Sequence, residues 1–371
     1  MRITKLETLF IAPRWMVLKI YTDEGIVGLG EPTLEGRSQT IAAAIQEIGR
    51  SLVGQDPRRI EHHWQAIYRG QFYRGGPILC SALSGIEQAL WDISGKWLGQ
   101  PAYQLLGGPT RDKIRVYGWI GGDTAEQCAE SALGRVQAGF TALKMGIKGP
   151  VRIVDSPAWV EENVDRFAAV RQAVGAKVDV GIDFHGELSP AMAVRLARAL
   201  EPHSPMFIEE PVLPENVDAL AMVARSTSIP VATGERLFTK WGFREVLEKQ
   251  AAAILQPDLA HAGGILEVKK IAAMAECYYA AVAPHCPLGP VALAACLQLD
   301  ACIPNFLVQE HVTLGEGYLK EPFKLTDGYV ELPTKPGLGI ELDDEAIAGK
   351  LYDGSWETPS FRHLDGSVAD W

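Results

Sequence analysis

Six polar side chains, each closing a short apolar run, recur through this chain at almost one interval: Asp183, Glu209, Glu235, Asp258, His285 and Glu310. The steps between them are 26, 26, 23, 27 and 25 residues. A strand, a helix crossing back over it and two loops consume about that length, so the interval is the period of a repeated βα unit. Such a repeat confines the chain to a parallel sheet, open or closed. Eight apolar runs fit the pattern, "IRVYGWI", "FTALKMG", "VDVGIDFH", "PMFIEE", "IPVATGE", "AAILQPD", "AAVAPH" and "NFLVQE", and they predict an α/β fold of the (β/α)8 barrel type, its last units compact.

The first ~110 residues differ in texture and predict a smaller α+β domain. In "WMVLKIYTDEGIVGLGEP" apolar and polar positions alternate around Asp23-Glu24-Gly25, which predicts a β-hairpin. "SQTIAAAIQEIGRSLVG" and "SALSGIEQALWDISGKWLG" place apolar residues three and four apart and stop at glycine, as amphipathic helices do. The segment after Glu316, with Pro and Gly at "LPTKPGLG", is irregular and is expected to return to this first domain.

At 371 residues, 47% hydrophobic and 22% charged, the chain can fill such a body. Its formal charge of −11 argues against nucleic acid or an anionic membrane surface as partner, since both repel an acidic protein. No apolar run approaches the roughly 20 residues that span a bilayer. The six cysteines form no C-x-x-C pair and the first residues do not read as a signal peptide, so reduced thiols in a cytoplasmic protein are expected.

Strand parity sharpens the functional reading. In "VDVGIDFH" Val178, Val180, Ile182 and Phe184 form one apolar face for helix packing, while Asp179, Gly181, Asp183 and His185 point into the barrel. Asp183, Glu209 and Glu235 then converge at the carboxyl ends of successive strands, where barrel enzymes place their chemistry. A lone strand-end acid often caps a helix or joins an ion pair; three at matched spacing repel one another and call for a cation. All-oxygen ligation with open positions suits Mg2+. His185 and His285 would face each other across it, with Asp258 orienting His285 as the better base.

The stretches "GIDFHG", "MFIEEPV", "ATGERLF", "ILQPDLAHAGGI", "APHCPLGPVALAAC" and "HLDGSVADW" resemble the enolase superfamily, in its mandelate racemase branch, and within it most closely the galactonate dehydratases. The resemblance runs nearly end to end. It implies a modified (β/α)7β TIM barrel at 113–319 under an α+β capping domain formed by 1–112 and completed by about 320–371. It implies Mg2+ on Asp183, Glu209 and Glu235, and abstraction of the proton α to a carboxylate. By the same resemblance His285, with Asp258, takes the C2 proton of an aldonate and His185 protonates the departing C3 hydroxyl. Glu310 would hydrogen-bond the enediolate if protonated or bridged by a donor, because an ionised carboxylate only accepts.

The expected partner is a small sugar acid, galactonate first, with gluconate or a five-carbon acid as alternatives and a homo-oligomer as the family's common state. A racemase of the same superfamily needs a second base; "LKMGI" offers Lys144, which is expected to contact the substrate carboxylate or the metal acids or to act as a buried counter-ion, and Gly146 where a second lysine would fall. Arg14, Trp15, Tyr73 and Arg74 lie in stretches expected to close over the substrate. Glu210, His261 and His311 are expected in supporting places at most, with strand parity turning Glu210 away from the cavity of His185. An ordinary two-carboxylate glycosidase built on Glu209 and Glu235 would leave Asp183 and both histidines without a task.

Overall fold

The computed structural model describes residues 1–370. The chain opens with strands β1 (Ile3–Ile11), β2 (Trp15–Thr22) and β3 (Val27–Gly30), an antiparallel sheet in which Leu6 opposes Ile20 and Leu18 opposes Gly30. The predicted hairpin is the β2–β3 turn. Helices α1 (Ser38–Leu52), α2 (Ile60–Tyr68) and α3 (Gly76–Leu98) follow, and Met16, Leu18, Ile20, Ile41, Ile45, Ile86 and Ile93 form their shared core. β3 lies so close to α3 that a Cβ on Gly30 would stand 2.0 Å from the Gly85 carbonyl oxygen, so only glycine fits there. α3 ends at Gly99 in the left-handed conformation, φ 67°, as its sequence predicts.

A short helix, α4 (Ala102–Leu105), and strand β4 (Lys113–Arg115) lead into seven parallel strands: β5 (Gly118–Ile120), β6 (Ala142–Gly146), β7 (Asp179–Asp183), β8 (Ile208–Glu209), β9 (Val231–Thr233), β10 (Ile254–Leu255) and β11 (Ala281–Val282). They pair in chain order. The eighth predicted run closes the ring by single bridges, Phe306 to Val282 and Gln309 to Val116, so the architecture is the modified TIM barrel that the resemblance implies.

Inside the ring Tyr117, Ala142, Phe207, Ala232, Ile254, Ala283 and Val308 form a core of their own. Val178, Val180, Ile182 and Phe184 pack outward among the helices, which is the parity read from sequence. Gly181 faces inward under Phe207, whose ring leaves no room for a Cβ: it would lie 2.6 Å away.

The barrel helices are α5 (Ala125–Gln137), α6 (Pro157–Val174), α7 (Pro190–Leu200), α8 (Val217–Ala224), α9 (Thr239–Glu248), α10 (Ile265–Glu276) and α11 (Pro290–Cys302). Beyond α11 the chain runs back to its beginning. It forms β12 (Leu325–Thr326) and β13 (Tyr329–Glu331), which pairs with β4, and Leu351 bridges to Ile11. Two carboxylates of the first sheet and helix lock onto the barrel: Glu31 accepts from the backbone N–H groups of Gly289, Val291 and Ala292, and Glu87 from those of Ile265 and Leu266. Among the described residues no helix is long and apolar enough to cross a membrane.

Candidate metal and acid-base centre

Asp183 and Glu209 end neighbouring strands and stand in register, so their carboxylates share one row at the mouth of the barrel. Glu235 lies two residues beyond β9 and leans in beside them. Each of the three offers an oxygen within 4.8 Å of the others, and all three are almost wholly enclosed.

Burial, and then the charge of Asp183, push the Glu209 carboxyl well above its ordinary range although Lys144 opposes them. Burial likewise raises Asp183 against the pull of Lys144, with Glu235 adding to the rise. For Glu235 burial acts upward, but the positive charge of His285 and His185 outweighs it and holds the group down. Three enclosed carboxylates in mutual repulsion, with hard oxygen donors only, fit a divalent cation of the Mg2+ type.

Lys144 lies beneath this row. Its Nζ is 2.6 and 2.7 Å from the two oxygens of Glu209, 3.1 Å from Glu310 and 3.7 Å from Asp183, with the Trp119 ring 4.5 Å away. Of the contacts expected for it, the structure makes those with the acids.

His285 approaches from the other side. Its Nδ1 is 2.8 Å from Asp258 Oδ2, and its Nε2 is 3.5 Å from Glu235 and 3.9 Å from Glu310. Asp258 is itself held, since its other oxygen accepts from Ala260 N. Burial alone would depress the imidazolium, but Glu235, Glu310 and Asp258 lift it well above 6.5.

His185 sits in the turn after β7 with φ 55°, and its backbone N–H donates to Asp183 at 2.7 Å. The side chain lines two cavities. One, of about 390 Å3, is shared with Glu235, Arg236, His261 and His285 under Leu34, Glu35 and Pro287; the other, of about 280 Å3, is shared with Asp183, Trp119, Gly146 and Glu187. The two histidines thus border one chamber.

Glu310 is ionised. Burial would raise it, but Lys144 and His285 bring it down to about 2. Trp119 Nε1 donates to one of its oxygens at 2.7 Å and Cys286 N to the other at 2.9 Å. Of the two conditions under which it could hydrogen-bond an enediolate, protonation is therefore not met.

The residues expected from the first domain scatter. Arg14 pairs with Glu35 at 2.8 Å, donates to the Pro287 carbonyl and lies over the Trp356 ring, at the edge of the larger chamber. Trp15 is buried against Tyr318, ring centroids 4.7 Å apart, and works as packing between the first sheet and the returning segment. Tyr73, 83% exposed, and Arg74 border a groove with Glu47, Arg50 and Tyr68 that contains no barrel residue. His311 packs against Phe140, centroids 5.7 Å apart, outside the ring.

Several participants escaped the sequence reading. Gln256 donates to Glu209 at 2.8 Å; it shares strand parity with Asp258, a signal that was present. Trp119 stands at the end of the first run. Glu210, expected in a supporting place, is in the lining of neither cavity; it follows the end of its strand with φ 39°, and its carboxylate grips Arg236, whose guanidinium also donates to the His185 carbonyl at 3.3 Å.

Residues 8–107 match the mandelate racemase/muconate lactonizing enzyme N-terminal domain, and residues 127–346 match the enolase C-terminal domain-like family. Over an alignment of 382 positions, gaps included, that covers all of both chains, the protein is 50% identical to a D-galactonate dehydratase of Variovorax paradoxus (strain S110) and 49% identical to one of Cronobacter sakazakii (strain ATCC BAA-894). Among solved structures, a mandelate racemase/muconate lactonizing enzyme from Sulfitobacter sp. is 39% identical with TM-score 0.91, over 95% of this chain and 96% of that one. A member of the enolase superfamily from Salmonella Typhimurium is 34% identical with TM-score 0.90, over 95% and 98%. On both halves of its length, in sequence and in fold, the chain belongs to the enolase superfamily, in the branch of mandelate racemase and muconate lactonizing enzyme.

Proposed function

We propose that this chain dehydrates an aldonate, D-galactonate foremost, to the 2-keto-3-deoxy acid, with Mg2+ as its cofactor. The observation that carries the reading is the pair His185 and His285 on one chamber, with Glu235 of the acid trio in its wall. The full-length relatives named as D-galactonate dehydratases support the choice of substrate. Asp183, Glu209 and Glu235 would hold the ion. When bound, it would supply the positive charge that acidifies the C–H bond beside the substrate carboxylate and offsets the carboxylates around His285.

The rest falls to side chains. Asp258 holds the Nδ1–H of His285, which leaves Nε2 open to accept the C2 proton. His185 gives a proton to the C3 hydroxyl, which departs as water, and the resulting C2–C3 enol turns into the ketone. Glu310, ionised, keeps Trp119 and Lys144 in place, and Lys144 balances the charge of the acids. Arg14 is the capping residue nearest the chamber, while Tyr73 and Arg74 would reach it only if their loop moved. Residues 1–112 with 320–371 act in this reading as the cap, and 113–319 as the barrel. A cytoplasmic homo-oligomer is the expected setting, in keeping with six free cysteines.

A racemase of this branch would draw its second base from the second strand, where Gly146 stands in the place of that lysine. A glycosidase would need Glu209 as acid or nucleophile, yet it is fully buried and held by Lys144. The test is a screen of purified protein with Mg2+ against aldonates and aldarates, reading the 2-keto-3-deoxy product. Highest kcat/KM on D-galactonate, loss with EDTA and recovery with Mg2+ are expected; no keto acid from any aldonate overturns the reading.

A further inference from the structure

We propose that Glu187 selects the substrate's far end, accepting a hydroxylated tail and rejecting a second carboxylate. The inference rests on the aldonate reading above. It starts from the smaller chamber, which joins the acid trio through Asp183 and His185 and extends past Gly146 to Glu187 and Phe361. The space beside Gly146 is open, since a Cβ there would meet nothing within 4 Å. With the reacting carboxylate at the trio and C3 at His185, the remaining carbons have this chamber before them.

Glu187 is the acid in that chamber whose carboxylate is not already engaged. Asp183 accepts from His185 N, and the deeper Glu209 and Glu310 are held by Lys144. Among the described residues no hydrogen bond or ion pair reaches the Glu187 carboxylate, and the charges acting on it, Asp183 and Asp370, are both negative. A half-enclosed carboxylate without donors is satisfied by O–H groups, and the hydroxyls of a polyol tail supply them.

Burial, together with those two acids, pushes Glu187 up to about 7, which agrees with a group short of donors. Residues 361–370 contribute to the same field. A bridge between Arg362 and Val368 and the hydrogen bond from Ala369 N to the Phe361 carbonyl fold this stretch back on itself, placing Phe361 on the chamber and Asp370 within reach of Glu187. An aldarate, oxidised to a carboxylate at its far carbon, would bring a further negative charge beside Glu187, Asp183 and Asp370, whereas an aldonate brings a hydroxyl.

The experiment compares wild type, Glu187→Gln and Glu187→Ala with Mg2+ on D-galactonate, on the corresponding aldarate and on glycerate, which has no tail. Glu187→Ala should raise KM for galactonate about tenfold with a smaller change in kcat, and both variants should lower the aldonate-to-aldarate ratio of kcat/KM by about tenfold or more. Exchange of the glycerate C2 hydrogen in D2O should stay at the wild-type rate, which a general structural fault would not allow. If wild type turns over galactonate but the ratio moves less than about twofold in both variants, the assignment of Glu187 is overturned and the dehydratase reading stands. If wild type forms no keto acid from any aldonate, both fall.

Discussion

His285 and His185 border one chamber, and the proposed reaction gives them different tasks. Asp258 stands 2.8 Å from His285 Nδ1, so the His285→Asn variant should lose turnover together with exchange of the C2 hydrogen in D2O. His185→Asn should keep measurable exchange while forming no keto acid. Proton NMR of galactonate in D2O reads both, and equal exchange in wild type and His285→Asn would remove that assignment. A second residue-scale prediction concerns stability. Burial brings His311 down to about 4 from its ordinary 6.5. Between those values the unfolded chain binds a proton that the folded chain does not, so stability present above 6.5 drains away as the pH falls toward 4. The slope is at most about 1.4 kcal/mol per pH unit. His311→Phe keeps the stack on Phe140 and removes the titration; urea unfolding at about pH 5 and about pH 7 should show a smaller loss in the variant.

At the scale of elements, the barrel helices divide by how their first turns are satisfied. Helices α5, α6, α7 and α8 carry their own caps in Thr124, Ser156, Ser189 and Asn216. Helices α10 and α11 begin at Gly264 and Gly289, which have no side chain to offer. Glu87 and Glu31 fill that need from another layer of the molecule, and a Cβ on Gly264 would stand 2.1 Å from Glu87 while one on Gly289 would stand 2.6 Å from Glu31. The glycines are therefore the sockets of a docking contact. Glu87→Ala leaves Ile265 N and Leu266 N without their acceptor and should cost about 1–3 kcal/mol in urea unfolding. Glu87→Gln, keeping one acceptor oxygen, should lose less. A cost under about 0.5 kcal/mol for Glu87→Ala would show that water replaces the carboxylate freely.

For the molecule as a whole, a cation held by the acid trio would make stability depend on it. Binding to the folded state alone adds about 2.7 kcal/mol at a free concentration 100-fold above Kd. Mg2+ should therefore raise Tm and EDTA should return it to the metal-free value; Asp183→Asn with Glu235→Gln should abolish the rise. A Tm indifferent to Mg2+ in wild type would argue against the trio as its site. The barrel was legible beforehand because each βα unit is a local object of near-constant length, so its period survives in the chain, and because alternation along "VDVGIDFH" records which side of the sheet is apolar. The row Asp183, Glu209 and Glu235 was legible for the same reason. Legibility stopped at contacts between remote residues. Nothing local announces that Lys144 would lie under three acids or that Glu31 and Glu87 would cap helices some 180 to 260 residues away.

By itself, then, the order of residues determined the repeat, the faces of the strands and the presence of strand-end acids and histidines, all consequences of forces acting over a few residues. Only the tertiary structure decided which charge neutralises which, that Glu310 is ionised, that Trp15 packs rather than lines the chamber, and that Gly146 opens a space ending at Glu187. Those outcomes depend on burial and on distances between residues remote in the chain, and a charge takes its worth from the groups that folding brings within a few ångströms of it.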